Sequence, residues 1–206
     1  MSFPDLGGGL SVSRETWDRL EHYTDLLKKW NPRINLVSPS TLDEAWTRHI
    51  VDSAQIWQIP QEKPAHWADL GSGGGFPGLV VAILRDEFAP DMRVTLVESD
   101  QRKCAFLRTV LRETGATANV EARRIEEIPS LRADVLSARA LASLNKLLGF
   151  ADHHLSETGM ALFPKGAQAE KEIAEARKMW QFELTRHTSL TDPNAVVLQI
   201  GVPTHV

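Results

Sequence analysis

The stretch Trp67–Leu84, WADLGSGGGFPGLVVAIL, places a short apolar run before a cluster of glycines and a longer apolar run. This order predicts a buried β-strand, a tight turn and a helix. Glycines at such a turn permit positive φ angles and let a ligand approach the backbone closely. Because ligands collect at the carboxyl ends of parallel strands, we predict a ligand-binding loop here rather than a bare turn.

The rest of the chain repeats this alternation of short apolar runs and helical patterns. Strands are predicted at Trp67–Leu70, Val94–Val97, Asn119–Ala122, Val135–Ala138 and Met160–Phe163. Helices are predicted between them, at Leu79–Phe88, Arg102–Glu113, Ser143–His153 and Ala167–Trp180. The pattern indicates an α/β fold, a mostly parallel sheet of seven strands covered by helices on both faces. Two late runs, Phe182–His187 and Ala195–Val202, predict an antiparallel pair at one edge.

Two helices are predicted ahead of this alternation. Ser13–Trp30 has an amphipathic pattern, and Asn31-Pro32 is predicted to end it. Thr41 and Glu44 have the spacing of a capping box, which predicts a helix running to about Trp57. The proline-punctuated connector Ile59–Trp67 then suggests a boundary. We therefore divide the chain into a helical N-terminal extension, 1–64, and a main domain, 65–206.

Composition sets broad limits on the protein. A length of 206 residues with 42% hydrophobic residues is enough for a sizeable core. A single cysteine excludes a disulfide within the chain, and neither a signal peptide nor a membrane span is evident, so we expect a cytoplasmic protein. The net charge of −4 is not that of a typical nucleic-acid-binding domain. Residues 99–146 do contain nine Lys/Arg against six Asp/Glu, for which a mixed, solvated surface is the simpler interpretation.

Three kinds of ligand compete for the glycine loop. A triphosphate loop would end in Gly-Lys-Ser/Thr, yet no Lys or Arg lies between Leu70 and Leu84. A dinucleotide fingerprint is present as Gly73-x-Gly75-x-x-Gly78, but such a match alone is weak. Glu98, at the end of the second strand, could bind the ribose hydroxyls of either a dinucleotide or S-adenosylmethionine. Asp69 beside the loop would repel a pyrophosphate and attract a sulfonium, which favours S-adenosylmethionine.

Several sequence blocks in consistent order are similar to the glucose-inhibited division protein B family, bacterial methyltransferases that act on a guanine N7 of small-subunit rRNA. The blocks are WNPRINLVS (Trp30–Ser38), RHIVDS (Arg48–Ser53), DLGSGGGFPG (Asp69–Gly78), LVES (Leu96–Ser99), RRIEEIP (Arg123–Pro129), SARALASL (Ser137–Leu144) and FPKG (Phe163–Gly166). The resemblance runs from about residue 20 to 200. It implies a Rossmann-like class I methyltransferase with a helical extension, S-adenosyl-L-methionine as cofactor, and 16S rRNA or the small ribosomal subunit as partner.

The resemblance also implies roles for individual residues. The methyl donor would be bound by the loop residues Gly71, Gly73 and Phe76, by Glu98, by Ile125 and Glu126 after the third strand, and by Arg139. Arg139 follows the fourth strand and would face the site of transfer. The C-terminal stretch AVVLQIGVPTHV lacks basic residues, so its composition does not indicate an RNA contact there.

Candidates on the acceptor side are Arg139, Lys165, Arg48 and His49, and each of the last three has a second interpretation. Arg48 and Asp52 could pair on a helix surface at the i, i+4 spacing, or both could form part of the substrate wall. His49 is expected on an apolar helix face, where a hydrogen-bonded structural role is favoured. Lys165 could bind a phosphate or could simply be solvated. Asn35 could end a helix or could contact a base. His153-His154 has no suitably spaced partners, so we predict no metal site.

The residues restrict the chemistry without settling the substrate. SARALAS follows the fourth strand, where an enzyme methylating an exocyclic amine would carry Asn/Asp-Pro-Pro-aromatic. A pyrimidine-carbon methyltransferase needs a cysteine nucleophile, and Cys104 has the pattern of a buried helix residue. An atom that is already nucleophilic, such as guanine N7, fits what remains. A methyltransferase for a small molecule or protein, a nicotinamide or flavin oxidoreductase and a non-catalytic nucleotide-binding subunit stay open. We expect a monomer without metal or membrane attachment.

Overall fold

The computed structural model describes residues 5–206, so the first four residues of the predicted extension lie outside it. The α-helices are α1 (Arg14–Ile34), α2 (Asp52–Trp57), α3 (Gly78–Phe88), α4 (Gln101–Thr114), α5 (Leu144–His154) and α6 (Ala169–Ala176). The strands are β1 (His66–Leu70), β2 (Arg93–Val97), β3 (Asn119–Glu121), β4 (Ala133–Ser137), β5 (Leu155–Lys165), β6 (Trp180–Gln181), β7 (Leu184–Thr188), β8 (Val196–Ile200) and β9 (Thr204–His205). None of the helices in this described part is long and apolar enough to cross a membrane.

Seven of the strands form one sheet in the order β3-β2-β1-β4-β5-β8-β7. The first five are parallel, and β8 runs antiparallel to both β5 and β7. The chain adds β2 and β3 on one side of β1 and then crosses to β4 on the other side. This reversal opens a crevice beyond the carboxyl ends of β1 and β4, which is where open α/β sheets bind ligands.

The α/β architecture confirms the prediction, and all seven predicted strands are present within a few residues. The predicted antiparallel pair at the sheet edge is also present, as β7 and β8. The main differences are in length. β5 is longer than the predicted Met160–Phe163, and α6 is shorter than the predicted Ala167–Trp180, because Trp180 belongs to a short two-stranded sheet with His205.

The prediction that Asn31-Pro32 ends the first helix is wrong, because α1 continues to Ile34. Pro32 has no N–H group and so removes one hydrogen bond from the helix. The bond at the end of the helix is still made, since the Asn35 N–H donates to the Asn31 carbonyl at 3.0 Å. Asn35 then ends the helix in the left-handed conformation, at a φ of 49°. The buried Asn31 side chain stabilises this turn by accepting the backbone N–H groups of Leu36 and Val37 at 2.8 Å each.

The predicted capping box at Thr41 and Glu44 does not form. Residues Pro39–Thr41 are a 3-10 turn, and a π-helical turn, Trp46–Val51, precedes α2. The Thr41 hydroxyl is used elsewhere, since it donates to the Ser38 carbonyl at 2.8 Å and also contacts His49. π-Helical turns are rare and occur frequently at functional sites. This one contains Arg48 and His49, which places both side chains beside the crevice.

The core has a layer on each face of the sheet. One layer joins α3 and α4 to the N-terminal segment, including the fully buried Leu20, Tyr23 and Leu27 of α1. The other packs α5 and α6 against the opposite face. The N-terminal helices thus contribute to the same apolar cluster as the sheet. The division of the chain at residues 64 and 65 stays a prediction about its organisation.

Candidate active site

The glycine loop lies directly at the carboxyl end of β1. Gly71, Gly73 and Gly75 all have positive φ, at 63°, 53° and 93°. The Ser72 N–H donates to the Val97 carbonyl at 3.0 Å, which fixes the loop to the end of β2. A Cβ atom at Gly75 would lie 2.7 Å from the Tyr23 hydroxyl oxygen, so a side chain there would displace the loop. Both the backbone angles and the space therefore require glycine at this position.

Asp69 was expected from the sequence to attract the sulfonium of the ligand and to repel a pyrophosphate, and its position in the structure does not support this expectation. Its side chain is fully buried and lines neither cavity at the loop. It accepts the Ser137 hydroxyl at 2.7 Å and the Gly78 N–H at 3.3 Å, which ties β1 to β4 and to the start of α3. Burial raises the pKa of Asp69 to about 6 despite these bonds. The carboxyl thus supports the loop from beneath and does not face a ligand.

A cavity of about 310 Å³ lies on the β2 side of the loop. It brings together most of the predicted donor-binding residues: Gly71, Gly73, Glu98, Ile125 and Glu126. The Glu98 carboxylate accepts the Gly73 N–H at 2.9 Å and the Asp100 N–H at 2.8 Å. Two backbone groups thus hold it in place, and carboxylate oxygens have lone pairs left for further donors.

A larger cavity of about 1170 Å³ lies on the other side of the loop. It is lined by the four candidates on the acceptor side, Arg48, His49, Arg139 and Lys165, and by Phe76. Both cavities reach the same central residues, Gly71, Gly73 and Leu141. Phe76 and Arg139 were predicted to bind the donor, whereas the structure places both in the larger cavity.

Arg139 contacts four other residues in the larger cavity. Its Nη1 donates to Asp52 Oδ2 at 3.1 Å and to the Arg48 carbonyl at 3.3 Å, and its Nη2 contacts His49 Nδ1 at 3.1 Å. The guanidinium carbon also lies 4.9 Å from the centre of the Phe76 ring. The side chain is only 18% exposed. Arg139 is therefore held in one orientation beside Phe76 of the glycine loop.

The hydrogen bonds of His49 define its protonation state. Because the Thr41 hydroxyl donates to Ser38, it accepts from His49, so the proton lies on Nε2. His49 Nδ1 is then the acceptor for Arg139. Burial, followed by the Arg139 charge, lowers the pKa of His49 to about 4. The imidazole is thus neutral near pH 7, and its lone pair is already occupied.

Lys165 and Arg48 have different surroundings. The Lys165 ammonium donates to the Ala142 carbonyl at 2.9 Å and to Glu172 Oε2 at 2.8 Å, so its charge is paired within the protein. Arg48 is exposed, and it does not form the predicted i, i+4 pair with Asp52. The reason is that Asp52 turns to Arg139, a cation from across the cavity.

The contacts of two carboxylates at this site were not predicted from the sequence. Asp52 was considered as a helix-surface partner of Arg48 or, with Arg48, as part of the substrate wall, but not as a partner of Arg139, and Glu172 was not considered. Glu172 accepts the Leu144 N–H at 2.6 Å in addition to Lys165. Asp52 lies 87 residues from Arg139 in sequence. No local spacing signals a contact over such a separation, so only the fold reveals it.

The structure also places the other residues that were considered for reactivity, Cys104 and His153-His154. Cys104 is buried as predicted, donates its thiol to the Glu98 carbonyl at 3.2 Å and has a pKa raised by burial. His154 is completely buried next to His153. Across residues 5–206, no three His, Cys, Asp or Glu side chains group in a way that could hold a metal ion. Six of the nine cations in 99–146 form ion pairs, which fits a mixed surface.

Comparison with known families identifies the chain at the level of a family. Residues 16–197 match the GidB family, described as rRNA small subunit methyltransferase G. The chain belongs to this family. A ribosomal RNA small subunit methyltransferase G from Ruegeria sp. is 56% identical over 191 residues, covering 93% of each chain. The protein of that name from Ruegeria pomeroyi is 53% identical over the whole of both chains.

Solved structures agree with this membership at the level of the fold. The ribosomal protein L11 methylase of Lactobacillus delbrueckii superposes with a TM-score of 0.59 at 17% identity, covering 74% of this chain and 78% of that one. The structure of M. jannaschii TYW2 in complex with AdoMet superposes with a TM-score of 0.54 at 10% identity, covering 83% of this chain and 78% of that one. The protein therefore has the class I methyltransferase fold that the sequence predicted, with the helical segment added in front.

Proposed function

We propose that this GidB family member transfers a methyl group from S-adenosylmethionine to N7 of a guanine in 16S rRNA of the small ribosomal subunit. The observation that carries the proposal is the family match over residues 16–197, together with relatives of the same name at more than half identity. The protein is proposed to act as a monomer in the cytoplasm, where small subunits are assembled.

The smaller cavity suits S-adenosylmethionine. Its volume of about 310 Å³ is at the lower end of the range for ligand pockets. Glu98 offers carboxylate oxygens for ribose hydroxyls, and Ile125 offers an apolar side chain for the adenine. The backbone of Gly71 and Gly73 permits close approach of the methionine part. The larger cavity begins at the same two glycines, so a guanine entering it would meet the donor there.

The reaction mainly requires the protein to place the guanine against the methyl group of the donor. When bound, S-adenosylmethionine supplies an electrophilic methyl group on a sulfonium. Guanine N7 carries a lone pair and no proton at neutral pH, so no side chain has to remove one. Arg139, held against Phe76, is proposed to orient the base, and Arg48 to contact a phosphate from its exposed position. Proximity and orientation would then supply most of the rate enhancement.

The hydrogen bonds of His49 support a mechanism without a general base. Its Nδ1 lone pair accepts from Arg139, and its Nε2 proton is donated to Thr41. The thiol of Cys104 points at a backbone carbonyl and lies outside the lining of both cavities. Neither group is available to the substrate.

We therefore expect the rate of methyl transfer to be nearly independent of pH from about 7 to 8.5. His49, with a pKa of about 4, loses its proton well below this window, and Asp69, with a pKa of about 6, is mostly ionised before it begins. Burial raises the pKa values of Cys104 and Tyr23, so both stay protonated. Single-turnover assays at saturating substrate measure this rate.

The control for this prediction is Cys104→Ser, which should retain activity within a few-fold because only packing changes. A rise of rate with a slope near one in this window, with intact RNA, would show that an essential base titrates there.

The substrate is tested by comparing rRNA from cells with and without the protein. Methylation at N7 puts a positive charge on the guanine ring, and borohydride reduction followed by aniline treatment cleaves RNA at such a base. Small-subunit rRNA from cells lacking the protein should lose one cleavage site, and the wild-type gene should restore it. An unchanged cleavage pattern would overturn the proposed substrate.

A second assay separates the remaining acceptors. Purified protein is incubated with methyl-labelled donor and either small subunits, naked 16S rRNA, soluble protein or small metabolites. Label in small subunits or in 16S rRNA supports the proposal and shows which form is used. Label only in protein or metabolites would favour a different methyltransferase.

A further inference from the structure

Asp52 contacts three separate parts of the fold around the larger cavity. It begins α2 in the N-terminal segment, and its Oδ2 accepts from Arg139, which follows β4. Its Oδ1 accepts the Thr191 hydroxyl at 2.9 Å and the Gln55 amide at 2.9 Å. Thr191 belongs to the loop between β7 and β8 and lines the same cavity. One carboxylate therefore joins the helical segment, the sheet centre and the sheet edge.

The surroundings of Asp52 favour a fixed geometry. Its side chain is 17% exposed, and that of Arg139 is 18% exposed, so the ion pair is largely removed from solvent. Gln55 strengthens the arrangement, because its Oε1 accepts the Leu190 N–H at 2.8 Å. The loop between β7 and β8 is thus attached to α2 by a backbone group as well as by Thr191.

Arg139 needs such a support because its side chain is long and flexible. An arginine loses side-chain rotamer entropy when it is held in one geometry. A partner that holds it before the substrate enters removes this cost from the reaction step. His49 and Phe76 contact the guanidinium as well, but both are uncharged, so Asp52 is its only carboxylate partner among residues 5–206.

We propose that Asp52 is a positioning residue, which fixes the Arg139 guanidinium against Phe76 of the glycine loop and anchors the loop of Thr191 to the same cavity. The proposal rests on the proposed function, since it assigns Asp52 a part in aligning the acceptor base. Asp52 itself acts through Arg139 and takes no part in the chemistry. The donor cavity is lined by neither residue, so the effect should fall on transfer and not on donor binding.

Asp52→Asn should lower kcat for methylation of small subunits by about 10- to 30-fold, because misplacement of an orienting group slows a reaction that depends on orientation. The KM for S-adenosylmethionine and the donor affinity measured by calorimetry should stay within about twofold of wild type. Thermal unfolding without substrate shows whether the variant is folded. A loss of donor affinity in parallel with kcat would contradict the proposal.

The chain offers a matched control in a second ion pair. Asp86 lies 3.1 Å from Arg19, the same distance as Asp52 from Arg139, and its side chain is 19% exposed. Asp86 also pairs with Arg85 and lines neither cavity. Asp86→Asn should therefore leave kcat within about twofold of wild type, even if it lowers the melting temperature as much as Asp52→Asn does.

A double-mutant cycle separates positioning from a general structural effect. If Asp52 acts through Arg139, adding Asp52→Asn to Arg139→Ala should cost little further activity, because the group to be positioned is already gone. If the double variant instead loses activity by the product of the two single fold-decreases, the inference is overturned. A wild-type protein that leaves small subunits and 16S rRNA unlabelled would instead refute the proposed function, and the calorimetry would still report on donor binding.

Discussion

Arg139→Ala is expected to lower the rate of methyl transfer by roughly 100-fold or more while leaving donor binding within a few-fold of wild type. Arg139 lines the larger cavity beside Phe76 of the glycine loop, and four contacts hold it. Its removal takes away hydrogen-bond donors that would orient the base. Because Arg139 lines only the larger cavity, the smaller cavity, where we propose that the donor binds, keeps its residues.

The fold should survive this substitution. Asp52 would lose its ion pair, but the Gln55 amide and the Thr191 hydroxyl would still donate to its Oδ1 atom. The carboxylate is therefore not left without hydrogen-bond partners, which is the situation that makes removal of one member of a buried pair costly. Single-turnover methylation of small subunits measures the rate, and thermal unfolding measures the stability.

Arg19→Ala is the control for Arg139→Ala. Arg19 also pairs with a carboxylate at 3.1 Å, and its side chain is 25% exposed, but it lies on α1 away from both cavities. It should leave the transfer rate nearly unchanged. If Arg139→Ala transfers the methyl group as fast as Arg19→Ala does, other residues orient the base.

The sheet could be predicted because its sequence signals are local. Each buried parallel strand is a short apolar run, and each is followed by a helical pattern, so the alternation itself defines the α/β class. The same rule predicts a ligand at the glycine loop and near Glu98, because the carboxyl ends of parallel strands meet at one edge. Gly71, Gly73 and Ile125 were predicted to bind the donor from the family resemblance, and one cavity contains these three residues together with Glu98.

The N-terminal segment was predicted less well because its local signals compete with tertiary contacts. Pro32 indicates a helix end, yet the buried Asn31 continues the turn through its carbonyl and then accepts two N–H groups beyond it. Thr41 has the position of a helix cap, yet its hydroxyl is engaged with Ser38 and His49. In both places a polar side chain has more than one possible partner, and the fold decides which is used.

The acceptor side could be predicted only as a set of residues, because its geometry depends on contacts between distant segments. Arg48 and Asp52 have the spacing of a helix pair, but the π-helical turn and the approach of Arg139 give Asp52 a different partner. Lys165 follows a strand end, where phosphate binding was one interpretation, but Glu172 of α6 pairs with it. These pairings join residues of different elements, for which sequence spacing has no signal.

Glu98→Ala is expected to weaken S-adenosylmethionine binding by roughly 100-fold or more. Charge-assisted hydrogen bonds contribute about 1.5–3 kcal/mol each, and two bonds to the ribose hydroxyls would give at least about 3 kcal/mol. Glu98 is 9% exposed at the wall of the smaller cavity, so solvent competes little for its oxygens. Calorimetry measures the donor affinity, and Glu113→Ala, on the distant end of α4, is the control.

The loop contacts of Glu98 require a second measurement, because the Gly73 N–H at 2.9 Å would also lose its acceptor in this variant. A direct bond to the ribose and an indirect effect through the loop differ in how they respond to the ligand. The wild type should bind S-adenosylhomocysteine more tightly than its 2′-deoxy analogue, since the analogue lacks one hydroxyl. In Glu98→Ala this preference should largely disappear, because the acceptor for that hydroxyl is gone. If the variant binds both ligands weakly but keeps the wild-type preference, Glu98 acts by holding Gly73, and another group binds the ribose.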